Sequence, residues 1–562
     1  MSNVLDIQNL EVTFATDRGP VKAVDRVSLA VAPRSVLAVV GESGSGKTVT
    51  AKTVLGLLPE TAVSQGVVLL ANAGGGEPSN VLSLSPEQLR AVRGRDVAMV
   101  FQEASTALNP VYTVGWQITE GLRAHGKVSK KAAREQAIEM LRKVGIPEPE
   151  RRVDSYPHQL SGGQKQRVVI AMALALNPGL IVADEPTTAL DVTVQAEILD
   201  LLRQCRDEFG ASIMLITHNM GVVADLADEV AVMYQGEVVE RAPVAELFAA
   251  PREKYTRDLL AAVPRLGGEG RIRAAERAME RAQQPEREPL VRATGLEIEY
   301  PGRLGKPGFK AVKGVDFEIG AGEVLGLVGE SGSGKSTIGR AIAGLTPVTG
   351  GSLQVLGVEM LGYKERTFRP VRRDIGFVFQ DPATSFNPRF TIAECVAEPM
   401  IVHGLARDAD RARSRVNELL EAVQLPAAYG DRYPHELSGG QRQRASLARG
   451  LALDPKLLIA DEPTSALDVS VQAKVLELFA ELQRELGFAS LFITHDLAVV
   501  DALADRVGVL LHGELVEVGT GEQVLGSPEH PYTQRLLASL PVPDPVEQAT
   551  RRDAWRSTLS GS

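Results

Sequence analysis

The stretch VLAVVGESGSGKT, from Val36 to Thr48, decides the fold of this chain. A β-branched apolar run leads into a glycine loop, and a helical pattern begins at Lys47. The stretch VLGLVGESGSGKS, from Val324 to Ser336, repeats the same order. A strand, a glycine loop and a helix in this order are the context that turns the GxxxxGK[ST] pattern into a phosphate-binding loop. The sequence therefore predicts two such loops.

The repeat extends well beyond the two loops. Each loop is followed, in the same order, by FQE or FQD, LSGGQ, an apolar run ending in ADEPT, an ALD triplet and a TH pair. The separation of 23 positions from Ser161 to Asp184 recurs from Ser438 to Asp461. The step of 34 positions from each aspartate to the histidine of the TH pair also recurs. A tandem repeat of this length predicts a tandem function.

The main difference in length between the two copies lies between the glycine loop and the loop glutamine. From Lys47 to Gln102 there are 55 positions, whereas from Lys335 to Gln380 there are 45. The first copy carries the extra polar, glycine-rich stretch ANAGGGEPSN at 71–80. Because added length is tolerated best in surface loops, this stretch is predicted to be a loop insertion.

Composition indicates a globular chain of several domains. It has 562 residues, of which 44% are hydrophobic, so each half can bury a sizeable core. Lys and Arg number 61 against 71 Asp and Glu, and the net charge of −10 argues against a nucleic-acid coat protein. Cys205 and Cys395 lack the spacing of a metal site or a disulfide framework, so we expect reduced, packed thiols in a cytosolic protein.

No stretch approaches the length of a membrane-spanning helix, since none has 18 consecutive apolar residues. The N-terminal MSNVLDIQNLEVTF alternates like a strand and lacks the layout of a signal peptide. We therefore expect the protein to stay inside the cell and to reach a membrane only through a partner.

The repeat and the composition predict four regions. They are a first domain at 1–263, a charged linker at 264–290, a second domain at 291–541 and a loosely held, polar tail at 542–562.

The glycine loops are suited to phosphate because glycine lets the backbone curl until its N–H groups point inward. A lysine then adds a point charge for the β- and γ-phosphates, and the following helix N-terminus adds its dipole. The hydroxyls of Thr48 and Ser336 are expected ligands of Mg²⁺, a hard cation that prefers oxygen. The predicted nucleotide-binding residues are Gly41, Glu42, Ser43, Gly44, Ser45, Gly46, Lys47 and Thr48, with Gly329, Glu330, Ser331, Gly332, Ser333, Gly334, Lys335 and Ser336 in the second copy.

Two acidic pairs follow buried-strand runs, GLIVADE and KLLIADE. Asp184 and Asp461 are thereby delivered to the carboxyl edge of a parallel sheet, where α/β folds bind their ligands, and we predict that they contact Mg²⁺. Glu185 and Glu462 come next in the chain. They are predicted to orient or deprotonate the attacking water.

LSGGQ, at Leu160–Gln164 and again at Leu437–Gln441, resembles the signature of the ATP-binding cassette family. Physically, its serine can cap a helix that offers a hydroxyl, glycine N–H groups and a dipole to an anion. The resemblance implies two tandem P-loop ATPase domains, each with a RecA-like core, an antiparallel β region and a helical signature subdomain.

The resemblance also implies a head-to-tail pairing of the two halves within one chain. ATP on Lys47 would be closed by Ser438, Gly440 and Gln441, and ATP on Lys335 by Ser161, Gly163 and Gln164. The resemblance implies four further roles. Gln102 and Gln380 would be the loop glutamines that sense Mg²⁺ and couple to a partner, and His218 and His495 would be the switch histidines. Asp191 and Asp468 would be acids that cross the pairing interface, and Phe14 and Tyr300 would be aromatics under adenine.

The cargo is suggested by other segments. QEASTALNPVYTVGWQI at 102–118 and QDPATSFNPRFTIAECV at 380–396 resemble a region of the peptide and nickel importer ATPases. HPYTQRLLASLP at 530–541 resembles their C-terminal motif. In the first copy, PREKYTRDLLAAVP at 251–264, Lys254 replaces the usual proline and Glu253 the usual histidine.

These resemblances imply the ATPase subunit of a peptide importer at the cytoplasmic face of the membrane. It would meet two permease subunits near the Gln102 and Gln380 loops and, through them, an extracytoplasmic binding protein. Alternatives are another cargo, such as nickel, glutathione or a sugar, and a soluble tandem cassette acting on ribosomes or DNA. The short linker of mixed charge and the lack of zinc ligands favour transport, with no nucleic acid expected. Some relatives carry a C-terminal iron–sulfur cluster, but no cysteine follows Cys395.

Overall fold

Each half of the computed structural model contains one mostly parallel and one antiparallel sheet, and the model describes residues 3–16, 19–188, 190–268, 271–272, 288–302, 308–464 and 467–560. The strands of the first half are β1 (Leu5–Thr16), β2 (Gly19–Val31), β3 (Val36–Val40), β4 (Ala62–Leu70), β5 (Ser79–Asn80), β6 (Val97–Val100), β7 (Leu180–Asp184), β8 (Ser212–Ile216), β9 (Glu229–Tyr234) and β10 (Glu237–Pro243). Those of the second half are β11 (Val291–Tyr300), β12 (Phe309–Ile319), β13 (Val324–Val328), β14 (Gly350–Val355), β15 (Val358–Glu359), β16 (Ile375–Val378), β17 (Leu457–Asp461), β18 (Ala489–Ile493), β19 (Arg506–Leu511) and β20 (Glu514–Thr520).

Helices connect these strands. In the first half they are Lys47–Val54, Pro86–Val92, Ala104–Ala107, Val114–His125, Lys130–Lys143, Pro149–Arg152, Gly162–Leu174, Val192–Asp207, Met220–Leu226, Val244–Ala249 and Lys254–Ala261. In the second half they are Lys335–Ile342, Glu365–Arg372, Pro382–Ser385, Ile392–Val402, Ala409–Ala422, Gly439–Gly450, Val469–Leu486, Leu497–Leu503, Pro531–Ala538 and Pro545–Ser560. Short 3₁₀ or π turns lie at Val81–Ser83, Pro157–Gln159, Ala427–Asp431, Pro434–Glu436 and Glu522–Gly526.

The larger sheet has the same strand order in both halves. It runs β10-β9-β3-β8-β7-β6 in the first half and β20-β19-β13-β18-β17-β16 in the second. All neighbours pair in parallel except the last hairpin, β9 with β10 or β19 with β20, which is antiparallel. Parallel strands bring their carboxyl ends to one edge, so the chain segments that leave β3, β6, β7 and β8 meet there.

Strand β3 shows why the sequences of the parallel strands are unbroken apolar runs. All five of its residues are buried. Leu37 and Val39 pack in one apolar cluster with residues of β1 and β2, whereas Ala38 and Val40 pack in another with Leu259. Because side chains alternate across a strand, burial on both faces requires every residue to be apolar.

The predicted loop insertion is confirmed as an exposed connection within the antiparallel sheet. This sheet has the order β2-β1-β4-β5 in the first half and β12-β11-β14-β15 in the second. The chain between β4 and β5 runs through 71–78, and its central residues are exposed, whereas only Leu356 and Gly357 separate β14 from β15. The extra residues therefore lengthen a hairpin and leave the sheet unchanged.

The chain divides into two compact units. The first comprises Met1–Val263 with Ser539–Ser562, and the second comprises Pro264–Ala538. The sequence predicted a loosely held tail, but the structure places a helix at Pro545–Ser560 within the first unit. Its Trp555 is buried, and the Arg552 guanidinium lies 3.2 Å from a carboxylate oxygen of Asp225. An apolar anchor and an ion pair therefore hold a segment that composition alone suggested to be loose.

The start of the predicted linker belongs to the second unit. The Gly267 amide donates to the Asp501 carboxylate at 2.6 Å, and the Arg271 guanidinium lies 2.6 Å from that of Glu522. Residues 269–270 and 273–287 of the predicted linker lie outside the described residues. Across the described part of the chain, no helix has both the length and the apolar character needed to cross a membrane.

Candidate nucleotide site

The first phosphate loop follows β3 and ends where the helix Lys47–Val54 begins. Gly41, Gly44 and Gly46 have φ values of 148°, 82° and 101°, in the region that favours glycine. A Cβ on Gly41 would lie 2.1 Å from the Met233 carbonyl oxygen, and one on Gly46 would lie 2.6 Å from that of Ala23. These two positions thus require glycine for close backbone approach as well as for dihedral angle.

The second loop reproduces this geometry. Gly329, Gly332 and Gly334 have φ values of 146°, 78° and 108°. A Cβ on Gly329 would lie 2.1 Å from the Leu510 carbonyl oxygen, and one on Gly334 would lie 2.6 Å from that of Ala311. The two loops therefore have one backbone shape.

The loop lysines are buried and point back into their own loops. Lys47 Nζ donates to the carbonyl oxygens of Gly41 at 2.7 Å and Glu42 at 2.8 Å. Lys335 Nζ donates to the equivalent carbonyls at the same two distances. A buried ammonium held by carbonyl dipoles is already desolvated and oriented, which suits it to receive a phosphate oxygen.

A hydroxyl and a carboxylate meet at the start of each helix. Thr48 Oγ1 donates to Asp184 Oδ1 at 3.2 Å, and Ser336 Oγ donates to Asp461 Oδ1 at 2.7 Å. Burial raises the pKa of both aspartates, and Glu185 or Glu462 adds to this, while the hydroxyls oppose it. A desolvated carboxylate beside a hydroxyl is an oxygen donor set that fits Mg²⁺.

Glu185 directly follows β7 and adopts a φ of 48°, which is unusual for a residue with a side chain. Three side chains contact its carboxylate: Gln102 Nε2 at 2.8 Å, Thr188 Oγ1 at 2.9 Å and His218 Nδ1 at 3.1 Å. Burial opposes ionisation, yet contact with His218 and Thr188 leaves the pKa of Glu185 below its ordinary value. The group is therefore ionised at neutral pH.

Glu462 occupies the equivalent position in the second half, with a φ of 47°. Gln380 Nε2 donates to its Oε2 at 2.9 Å, and His495 Nδ1 lies 3.5 Å from the same oxygen. Burial opposes ionisation of Glu462, but His495 and the nearby Lys335 leave its pKa below the ordinary value. Burial likewise opposes the charged form of His495, but contact with Glu462 leaves the pKa of this histidine above its ordinary value. His495 therefore lies farther from its glutamate than His218 does from Glu185.

Sheet topology explains why these residues meet. In the first half, Gln102 follows β6, Asp184 ends β7 and His218 follows β8, and these three strands are adjacent and parallel. The second half uses β16, β17 and β18 in the same way. Residues distant in sequence thus arrive at one sheet edge because their strands end there.

The signature serines form capping boxes. Ser161 Oγ accepts from the Gln164 amide at 3.3 Å, and the Ser161 amide donates to Gln164 Oε1 at 3.2 Å. Ser438 and Gln441 make the same pair at 3.3 and 3.0 Å. The predicted helix caps are therefore present.

The second glycine of each LSGGQ motif is also needed for helix packing. A Cβ on Gly163 would lie 2.5 Å from Val194 Cγ1, and one on Gly440 would lie 2.3 Å from Val471 Cγ1. Glycine is required there by the neighbouring helix whatever the residue does for a nucleotide.

The two predicted adenine-stacking aromatics have different surroundings. Phe14 is half-buried and packs against the apolar cluster under the first antiparallel sheet. Tyr300 is 40% exposed, and its hydroxyl lies 3.4 Å from Thr337 Oγ1, next to Ser336. The stacking role stays a prediction for both. Asp191 and Asp468 occupy the N-cap positions of the helices Val192–Asp207 and Val469–Leu486.

Sequence reasoning missed two kinds of residue that the structure brings to this region. Thr188 contacts the Glu185 carboxylate, and Tyr255 and Tyr532 contact the backbone of the two phosphate loops. A signal for the tyrosines was available, because they follow His218 and His495 by the same 37 positions.

Comparison with known families agrees with this geometry. The sequence model "ABC transporter" matches residues 24–188 and 312–465. This chain belongs to the ABC transporter family. The model "Oligopeptide/dipeptide transporter, C-terminal region" matches residues 239–288 and 516–559. The protein is thus a tandem ABC ATPase whose hydrolysis is coupled to transport, built from two α/β cassettes.

Relatives resemble this ABC ATPase over almost its whole length. The Glutathione import ATP-binding protein GsiA of Escherichia coli (strain K12) is 45% identical over 570 residues, covering 98% of this chain and 91% of its own. The protein of the same name from Salmonella typhimurium (strain LT2) is 46% identical over 574 residues, with the same coverage.

Single cassettes are found among solved structures. The dimeric structure of MJ0796, a bacterial ABC transporter cassette, is 32% identical and covers 41% of this chain and 98% of its own, with a TM-score of 0.38. A post-hydrolysis structure of the same cassette bound to ADP and Pi is 29% identical over 42% of this chain and 98% of its own, also with a TM-score of 0.38.

Proposed function

We propose that this chain is the ATP-hydrolysing subunit of an importer that takes up short peptides through a separate membrane permease. The observation that carries the proposal is the double match to the C-terminal region of oligopeptide and dipeptide transporters, once in each half. Both halves also hold a complete set of lysine, hydroxyl, aspartate, glutamate, glutamine and histidine. Two complete sets support hydrolysis at both sites.

Glutathione is the first cargo to test, because the relatives at 45–46% identity are named for its import. It is itself a small peptide, so it falls within the proposed class. The test is uptake by right-side-out membrane vesicles that carry the whole transporter and contain ATP, with labelled glutathione, dipeptides, a sugar and nickel each supplied outside in a separate assay. ATP-dependent uptake of glutathione or of a dipeptide supports the proposal. Uptake of nickel or of the sugar alone refutes it.

Magnesium would be held in each half by the hydroxyl and carboxylate that already touch, Thr48 with Asp184 and Ser336 with Asp461. When bound, it supplies positive charge against the phosphate oxygens. Direct titration of ATP binding with and without magnesium tests the assignment. The Asp184→Asn and Asp461→Asn double variant should lose the magnesium dependence of binding.

Hydrolysis then follows from residues already in place. The Lys47 ammonium, oriented by its carbonyl partners, receives the phosphate oxygens, and the loop amides hold the remaining charge. The Glu185 carboxylate accepts a proton from water as the water oxygen attacks the γ-phosphorus, and the bond to the bridging oxygen breaks towards ADP. The ring of His218, 3.1 Å from Glu185, keeps that carboxylate in position. Lys335, Glu462 and His495 repeat these roles.

Family resemblance supports closure of each nucleotide by the signature of the opposite half, so that ATP on Lys47 also needs Ser438. A double-mutant cycle tests this without structural assumptions. Lys47→Ala and Ser438→Ala should give strongly non-additive losses of ATPase activity. Lys47→Ala and Ser161→Ala, which affect different sites under this scheme, form the matched control. Equal coupling in both pairs would refute the proposed pairing.

The proposed partners are two permease subunits, contacted near Gln102 and Gln380, and an extracytoplasmic binding protein that meets the permease. This arrangement places the chain at the cytoplasmic face of the membrane. Copurification from detergent-solubilised membranes should recover two hydrophobic proteins. Recovery of ribosomes or DNA in their place would contradict the proposal.

A further inference from the structure

The C-terminal segment of each half reaches the phosphate loop of the same half through a tyrosine. Tyr255 Oη accepts a hydrogen bond from the Glu42 amide at 3.1 Å. Tyr532 Oη accepts one from the Glu330 amide at 3.2 Å. Glu42 and Glu330 are the second residues of their loops, so the contact is made where the chain leaves the strand and begins to curl.

The same loop residue is held from its other side by the lysine. The Glu42 carbonyl accepts from Lys47 Nζ at 2.8 Å while its amide donates to Tyr255. Glu330 stands in the same way between Lys335 and Tyr532. The tyrosine thereby holds the residue on which the ammonium rests, because it accepts the hydrogen bond of that residue's amide.

The segment that carries the tyrosine is itself fixed to the end strand of the sheet. Glu240 on β10 accepts the Arg252 amide at 2.8 Å and the Glu253 amide at 3.1 Å. In the second half, a carboxylate on β20 accepts two amides from the same positions: Glu517 accepts those of Glu529 at 2.9 Å and His530 at 3.3 Å. Two amides on one carboxylate orient the first turn of the helix.

Apolar packing also holds the two tyrosines in place. Leu259 and Leu260, one turn beyond Tyr255, are buried in the cluster that contains Val40, the residue immediately before the phosphate loop. The rings of Tyr255 and Tyr234 lie 4.3 Å apart. In the second half Tyr532 is buried, with 3% of its surface exposed. Each tyrosine is therefore held by rigid elements, as a group that positions another must be.

We propose that Tyr255 and Tyr532 are positioning residues of the two nucleotide sites, and that the C-terminal segments at 252–261 and 529–538 are working parts of the ATPase. Each hydroxyl sets the conformation of the phosphate loop through the Glu42 or Glu330 amide. The proposal rests on the ATPase activity of the family and not on the identity of the cargo.

The expected effect is on binding rather than on chemistry. Tyr→Phe retains the ring and its packing but leaves the loop amide without its acceptor. A loop that is held less firmly binds ground state and transition state less well by the same factor, which raises KM and leaves kcat unchanged. For the Tyr255→Phe and Tyr532→Phe double variant we expect KM for ATP to rise about three- to tenfold, the factor that the loss of one such hydrogen bond implies.

The experiment measures ATPase kinetics and thermal unfolding of the full chain. Tyr363→Phe is the matched control, because its hydroxyl donates to a backbone carbonyl, that of Gly344, at 2.8 Å, away from the phosphate loop. We expect the control to keep the parental KM. The double Tyr→Leu variant, which removes ring and hydroxyl together, should raise KM at least as much as the Phe variant does.

Two results would overturn the proposal. One is a parental KM in the double Phe variant. A raised KM in the Leu variant would then mean that only packing matters, and a parental KM there would mean that neither ring nor hydroxyl acts on the loop. The other is a lowered kcat with unchanged KM in the Phe variant, because the hydroxyl would then act in the transition state. An unmodified protein without ATPase activity would instead refute the proposed function, so the two failures are distinguishable.

Discussion

Glu253 and Lys254 stand in the first half where His530 and Pro531 stand in the second, and yet both halves place a tyrosine on the phosphate loop at nearly the same distance. The feature that the halves share is a strand carboxylate, Glu240 or Glu517, that binds the two amides before the helix. Side chains at the divergent positions can vary because the geometry is set by backbone amides. The residues that define the sequence motif are therefore not the residues whose side chains anchor the segment.

The carboxylates proposed as catalytic bases show the opposite pattern, since similar residues make unequal contacts. Glu185 lies 3.1 Å from the ring of His218, whereas Glu462 lies 3.5 Å from that of His495. The hydroxyl that donates to the aspartate proposed to hold magnesium belongs to a threonine at 3.2 Å in the first half and to a serine at 2.7 Å in the second. Two complete sites can thus differ in rate while sharing one mechanism.

The largest effect should come from removing both carboxylates. Glu185→Gln with Glu462→Gln keeps the size of the side chains but removes the proton acceptor, so ATPase activity should fall about 10²-fold or more. Binding of ATP should persist, because the loop lysines are untouched. Steady-state hydrolysis and equilibrium nucleotide binding are the two measurements.

The two single Gln variants sharpen the comparison between the halves. If both sites turn over, each single variant should retain measurable hydrolysis. Parental activity in the double variant would contradict the assignment of Glu185 and Glu462 as bases.

The next effect should come from the histidines. Replacing His218 or His495 with alanine frees the neighbouring carboxylate to move, which should lower the hydrolysis rate about 10- to 100-fold per site. The loss should be larger for His218 because its contact with the carboxylate is shorter. His403→Ala, at the end of the helix Ile392–Val402, is the control and should leave the rate unchanged. Equal losses from the two active-site variants would show that the difference in distance has no functional meaning.

A smaller effect is expected from the anchoring carboxylates, measured as stability. Glu240→Gln leaves one of two amides facing an NH₂ group in a buried site, which should lower the free energy of unfolding by about 2 kcal/mol. Glu517→Gln should cost less, because that side chain is only half-buried. The control is Glu246→Gln, which removes an exposed ion pair with Arg252 and should cost less than about 0.5 kcal/mol. Chemical denaturation of the three variants distinguishes these values, and an equal cost for Glu240 and Glu246 would refute the anchoring role.

Much of the fold followed from sequence because the signals were local. The strand, glycine loop and helix around Lys47 are contiguous, and the apolar runs that end at Asp184 and Asp461 indicated the strands that carry them. The capping boxes at Ser161 and Ser438 were likewise predictable from residues three positions apart.

What sequence could not supply were contacts between distant segments. Tyr255 and Glu42 are 213 positions apart, and Arg552 and Asp225 are 327 apart. Neither pair has a spacing rule, because the contact depends on how whole elements pack. Trp555 illustrates the consequence, since a single tryptophan in a mostly polar tail gives no sequence signal for where its ring is buried.

The smallest effect is expected from making the first half resemble the second, by the substitution Lys254→Pro. Lys254 is the first residue of its helix, where the amide has no helical partner and proline is well tolerated. Glu253 before it has φ −81° and ψ 141°, the extended conformation that a following proline requires. The variant loses an exposed ion pair with Asp258 but gains from a less flexible unfolded chain, so stability should change by less than about 1 kcal/mol. ATPase kinetics should match those of the parent, because the Tyr255 contact and its Glu240 anchor do not involve the Lys254 side chain.

A marked rise in KM for ATP would mean that the residue preceding the tyrosine, and not the Glu240 anchor, determines how the segment contacts the phosphate loop.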